Sequence, residues 1–222
     1  MIRVLAALAV AVAAPAAARP AFPESTAVES RQALATRILA DRRLDRVRAA
    51  AITLLKGGFN AGDGYPQVWI RDLATFIEAQ LEARDRVAIR AALIGFARLQ
   101  QPDGQIVDGY VERGHVTWDD PFQYFSLDAP DLVGFKNTVE TDQESSLVQA
   151  VARYVRATGD RGILDERIGR DTLKSRLVRA VEWLRRERWS PAHGLLIGGT
   201  TQDWGDVQVE GGAVTDLDAR SH

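Results

Sequence analysis

The chain has 222 residues, with 28 Lys and Arg against 30 Asp and Glu, a net charge of −2 and no cysteine. Without cysteine there is neither a disulfide framework nor a thiolate metal site, and basic residues spread along the chain give no footprint for nucleic acid or an acidic membrane. The balance suits a neutral partner.

Met1, Ile2 and Arg3 place one positive charge ahead of an apolar run over residues 4–14, followed by Pro15 and Ala16-Ala17-Ala18. This is the pattern of a secretory signal cleaved after Ala18, so the protein is expected to be exported, secreted or periplasmic. The run is too short to span a bilayer, and no membrane partner is expected. Residues 19–25 read as a linker, 26–210 as one domain and 211–222 as an irregular tail.

Over residues 26–56, Leu34, Ile38, Leu44, Val47, Ala51, Ile52 and Leu55 recur near helical spacing and predict a helix or helix pair, closed by Gly57 and Gly58. Leu73, Phe76, Ile77 and Leu81 predict the next helix. Val87, Ala91, Gly95 or Phe96, and Leu99 predict its partner, with Arg84-Asp85-Arg86 as the turn of a hairpin. Residues 102–137, rich in Gly, Pro, Asp and aromatics, read as a long functional loop. Leu147, Val151, Tyr154 and Val155 predict a helix that Gly159 ends. Leu177, Val181 and Leu184 mark its partner over 173–189, and a second loop covers 190–212. Strand-like alternation is nearly absent. The expected fold class is therefore all-α, successive helical hairpins with long loops at one end.

Two loop-to-helix junctions concentrate chemistry: residues 65–72, with Trp69, Arg71 and Asp72, and residues 136–146, with Glu140, Asp142 and Glu144. Carboxylates and Arg clamp hydroxyls, and Trp stacks on the apolar face of a sugar ring, so this set suits a neutral polyol. Trp118-Asp119-Asp120 and Asp203-Trp204-Gly205-Asp206 repeat the pairing of Trp with Asp in the other long loops. The candidate substrate-binding residues are Trp69, Arg71, Asp72, Trp118, Asp119, Glu144, Trp204 and Asp206. Thr141 to Glu144 also fits a capping box, which gives Glu144 a structural role beside the binding one. Trp69, Arg71 and Asp72 equally fit an aromatic packed at a helix start next to an Arg/Asp pair.

Glu140 lies just before the cap, which does not need it, and is the candidate catalytic residue, a general acid. A helix N-terminus lowers a carboxyl pKa, so burial or neighbours such as Asp142 must outweigh the dipole. No G-x-S-x-G or Walker A sequence occurs, and His115, His193 and His222 lack zinc-ligand spacing, so no metal or cofactor is expected.

Trp-x-Arg-Asp at Trp69 to Asp72, Glu140 with Ser145 and Ser146 following, the Ala157-Thr158-Gly159-Asp160 helix end, and Gly194-Leu195-Leu196 leading to Asp203-Trp204 together resemble the six-hairpin glycosidases, the glucoamylase-like (α/α)6-toroid enzymes. The resemblance covers residues 64–206, in order and with similar spacing. It implies that Trp69, Arg71 and Asp72 bind the non-reducing terminal sugar and that Glu140 is the general acid. The family's base comes from a later hairpin, and no counterpart occurs here. A closed ring of six hairpins needs about twelve helices, and five or six are visible, so a partial toroid is expected, self-associating through unpaired helix faces.

Two functions follow. The first is an exported, inverting glycoside hydrolase acting on a neutral oligosaccharide, whose two carboxyl groups lie about 6.5–9.5 Å apart. The second is a non-catalytic carbohydrate-binding or truncated remnant protein without the base. A toroid epimerase is a weaker third, because such enzymes use His acid/base pairs.

Overall fold

The structure, a computed structural model, describes residues 24–60, 66–116, 123–136 and 142–197. The chain divides into two compact units, residues 1–46 and 47–222. The first holds helix α1 (Glu24–Leu39) and the start of α2 (Arg42–Gly57). The stretch expected to be a helix or helix pair is two helices, but its apolar positions Leu34, Ile38, Leu44 and Val47 are exposed. Asp41 opens α2 by accepting from the Arg43 backbone N–H at 3.0 Å and from its guanidinium Nε at 2.9 Å.

In the second unit, α3 (Ile70–Ala83) and α4 (Arg86–Arg98) form the predicted hairpin. Its turn is set by Asp85, whose side chain caps α4 by accepting from the Val87 N–H at 2.9 Å. Helix α5 (Gln143–Thr158) ends at Gly159, where φ is +73° and the absence of a Cβ removes the strain of the left-handed conformation. Helix α6 (Leu173–Trp183) starts with a reciprocal Thr172/Ser175 capping box and continues into a π-helical turn, Leu184–Arg188.

The all-α expectation is wrong. Strands β1 (Val68–Trp69), β2 (Gly109–Glu112), β3 (Gln123–Ser126) and β4 (Ala129–Phe135) form an antiparallel sheet in the order β1-β2-β4-β3. Two small hairpins, β5 (Arg167–Ile168) with β6 (Asp171–Thr172) and β7 (Trp189–Ser190) with β8 (Leu195–Leu196), add further strand. The architecture is mixed α and β, not a helical toroid, and much of the presumed loop over 102–137 is sheet.

The physical reason lies in the two central strands. One face meets the helices: Tyr110 packs edge-on against Phe96 at 4.9 Å and donates to the Ala92 carbonyl at 3.2 Å. The other face carries a small cluster of Val111, Val133 and Phe135 with Trp69 and Val116. With both faces covered, β4 shows an unbroken buried run from Leu132 to Phe135, so the period-2 signal of a half-solvated strand never appears.

The main core joins Leu73 and Ile77 of α3, Leu93 and Phe96 of α4, Leu147 and Tyr154 of α5 and Leu173 of α6 to Ile106 and Val107 beside the sheet. Beneath it, Arg176 is buried, donating to the Ala97 and Ile168 carbonyls and pairing with Asp128. No helix of the described residues is long and apolar enough to cross a membrane.

Candidate functional site

Helices α3 and α5 are not consecutive, yet they lie side by side and begin at the same end. Arg71 Nε, in the first turn of α3, is 3.6 Å from Asp142 Oδ2 at the start of α5. Farther along, Arg153 of α5 donates to the Ala74 carbonyl at 2.7 Å. The two sequence junctions therefore meet. Strand β1 fixes the first of them: Ile70 N donates to the Asp108 carbonyl at 2.9 Å, and Trp69 N to Asn60 Oδ1 at 3.2 Å. Neither Trp69 nor Asp142, the residues that precede the two helices, accepts a cap hydrogen bond on its side chain, in contrast to Asp85 and Thr172.

Behind this junction is a buried polar cluster. Lys136, at the end of β4, is 7 % exposed. Its ammonium donates to Gln143 Oε1 at 3.1 Å and lies 3.7 Å from both Asp108 Oδ1 and Glu144 Oε1. It also faces the Trp183 ring at 6.0 Å, over which Arg188 sits at 5.0 Å. Burying a charge is costly unless partners compensate it, and two carboxylates and an amide do so here.

Glu144 is fully buried. Its Oε1 accepts from the Ile106 N–H at 2.8 Å, so it joins α5 to the segment leading into β2 instead of reaching back to a helix cap. Its Oε2 accepts no hydrogen bond from the described residues.

Of the sequence candidates, Trp69, Arg71, Asp72 and Glu144 are brought to one end of the α3/α5 pair, with Trp69, Arg71 and Asp72 partly exposed and Glu144 enclosed. Glu140, Trp118, Asp119, Trp204 and Asp206 lie outside the described residues. Sequence reasoning gave no role to Lys136 and Gln143, although both lie in the 136–146 junction, and missed Asp108 and Arg188. A lone Lys closing an apolar strand and an Asp preceding one carry no periodic signal; only their pairing across strands marks them. Among the described residues, no group of three or more acidic or His side chains is placed to hold a metal ion.

A separate cleft of about 310 Å³ lies between the N-terminal turn of α4 and the C-terminal end of α5, lined by Arg86, Val87, Arg90, Tyr154, Thr158, Gly159 and Asp160. Its polar groups largely satisfy one another. Tyr154 donates to Asp160 Oδ2 at 2.9 Å, and Arg90 reaches the same oxygen at 3.2 Å and Glu166 at 2.7 Å.

No family model, no curated protein and no solved structure matches this chain.

Proposed function

We propose that this protein is an exported glycoside hydrolase-like protein that binds the terminal ring of a neutral oligosaccharide at the shared N-terminal end of α3 and α5 and cleaves the adjoining bond with inversion. The observation that carries the proposal is the 3.6 Å approach of Arg71 to Asp142, which joins the Trp-x-Arg-Asp motif to the segment containing Glu140. A partly exposed Trp beside an Arg and two Asp gives one apolar surface and several hydroxyl-binding groups, the pairing a pyranose ring requires.

In this proposal Arg71 and Asp72 fix ring hydroxyls, Trp69 stacks on the ring, and Glu140 protonates the glycosidic oxygen while a second carboxylate activates water from the opposite face. The motif order shared with six-hairpin glycosidases supports it through side chains and spacing, not through an all-helical architecture. Export rests on the signal pattern of residues 1–18. Self-association is part of the proposal as well, supported by the exposed apolar side chains Val178, Val181, Trp189, Leu195 and Leu196.

The test is calorimetric titration of the purified protein with neutral oligosaccharides alongside a reducing-sugar assay. Binding with turnover is the expected result. Binding without turnover would favour a carbohydrate-binding protein, and absence of both would refute the proposal.

A further inference from the structure

Trp69, Gly109 and Phe135 occupy one cross-strand row. The register pairs Trp69 with Gly109 between β1 and β2, and Gly109 with Phe135 between β2 and β4. Residues directly opposite one another in a sheet point to the same face. The middle position has no side chain, and the indole occupies that space. A Cβ built on Gly109 would lie 2.4 Å from Trp69 Cε3 and 2.8 Å from Cδ2 and Cζ3, and these are its three nearest heavy atoms. The Trp69 and Phe135 rings then come within 6.1 Å at an interplanar angle of 34°.

We infer that Gly109 is a positioning residue of the sugar site: its missing side chain is the slot that holds the Trp69 indole at the tilt needed to stack on a pyranose ring. The inference rests on the sugar-binding function proposed above and goes beyond it by assigning the geometry of the platform to a backbone position on another strand. Contacts under 3.0 Å cannot be absorbed, so any side chain at Gly109 must push the ring aside. The ring is partly exposed, whereas Gly109 is buried in the sheet, so the ring is the part that yields. An aromatic lying over a strand glycine also shores up the sheet, and this gives the pairing a structural consequence that can be separated from recognition.

The experiment uses the full chain, Gly109→Ala, Trp69→Ala and the double variant, titrated with maltotriose, cellotriose and mannotriose. The Trp69 emission is isolated as the difference between wild type and Trp69→Phe. Gly109→Ala is expected to shift that emission in the ligand-free protein and to weaken sugar binding about tenfold, while the double variant binds no more weakly than Trp69→Ala alone. The loss of melting temperature in the double variant is also expected to be smaller than the sum of the losses in the two single variants, because removing the indole gives the new methyl space. This readout stands even where Gly109→Ala folds poorly. An unshifted Trp69 emission, additive losses of affinity, or additive losses of melting temperature would overturn the inference. Failure of wild type to bind any of the three sugars would overturn the recognition role together with the proposed function, and the emission and melting data would still decide whether Gly109 sets the indole.

Discussion

Lys136 donates from its ammonium to Gln143 Oε1 across 3.1 Å. That bond braces the two ends of the segment that carries Glu140, one at the end of β4 and the other in the first turn of α5. Lys136→Met removes the only positive partner within 4 Å of Glu144 among the described residues and one that faces Asp108. Breaking a buried pair from one side costs about 3–5 kcal/mol, because the remaining charge stays buried and uncompensated. Urea unfolding should show a loss of that size. A loss under about 1 kcal/mol, the range of an exposed pair, would contradict the burial.

At the site itself, Glu140→Gln is expected to abolish hydrolysis while leaving sugar affinity nearly intact, because the amide keeps the shape and loses the transferable proton. Arg71→Ala and Asp72→Asn should instead weaken binding by about 1–3 kcal/mol each. Calorimetry and steady-state kinetics on the three variants separate the roles. Equal losses of affinity in all three would give Glu140 a structural part only.

Two glycines are expected to respond with opposite sign to the same substitution. Gly95 sits in α4 with Tyr110 Cζ and Oη each 2.7 Å from the Cβ it lacks. Alanine there gains about 1 kcal/mol of helix propensity and loses about 1–3 kcal/mol to overpacking, so the variant should be less stable. Gly57, the last residue of α2, would present a Cβ to nothing within 4 Å. Gly57→Ala should raise stability by up to about 1 kcal/mol through the unfolded chain. Thermal melts of both variants check the pair.

The acid side of the stability profile has identifiable contributors. Hydrogen bonds from Arg98 lower the carboxyl pKa of Asp131, that from Tyr154 lowers Asp160, and that from Arg179 lowers Asp171. A folded pKa below the unfolded one adds stability above the unfolded value, near 4, and that increment is lost as pH falls through the folded value. Melting temperature should therefore hold from neutral pH down to about 5 and fall below about 4. The three sites are solvated, so each contribution is small. Asp171→Asn should flatten the acid limb; an unchanged limb would remove Asp171 from the set.

Helices α3, α4 and α5 were legible in the sequence because each buries one stripe, whereas Leu34, Ile38, Leu44 and Val47, the apolar positions that marked α1 and the start of α2, are exposed. Leu73 with Ile77, and Leu147 with Val151 and Tyr154, are core residues at helical spacing. The sheet was illegible for the converse reason: Tyr110 and Val111 are buried on opposite faces, so neither face left a polar alternate. A structureless stretch as long as residues 102–137 was itself a sign that an element had been overlooked. Trp69, Arg71 and Asp72 were found because they share one short motif. The pairing of Lys136 with Asp108 was not, since one follows β4, the other precedes β2, and they meet only after those strands pair.

The parallel side-by-side placement of α3 and α5 gives the site a kinetic and a thermodynamic character of its own. Helix α4 and strands β2 to β4 intervene between them in sequence, so their contact is long-range, and folding must close that span before Arg71 can face Asp142. Such closure adds to the search that limits folding rate. A sugar touching the first turns of the two helices would therefore act as a staple, binding only the assembled pair and raising the unfolding temperature in proportion to the logarithm of its concentration above Kd. Truncations that separate the two helices should abolish that ligand-dependent shift.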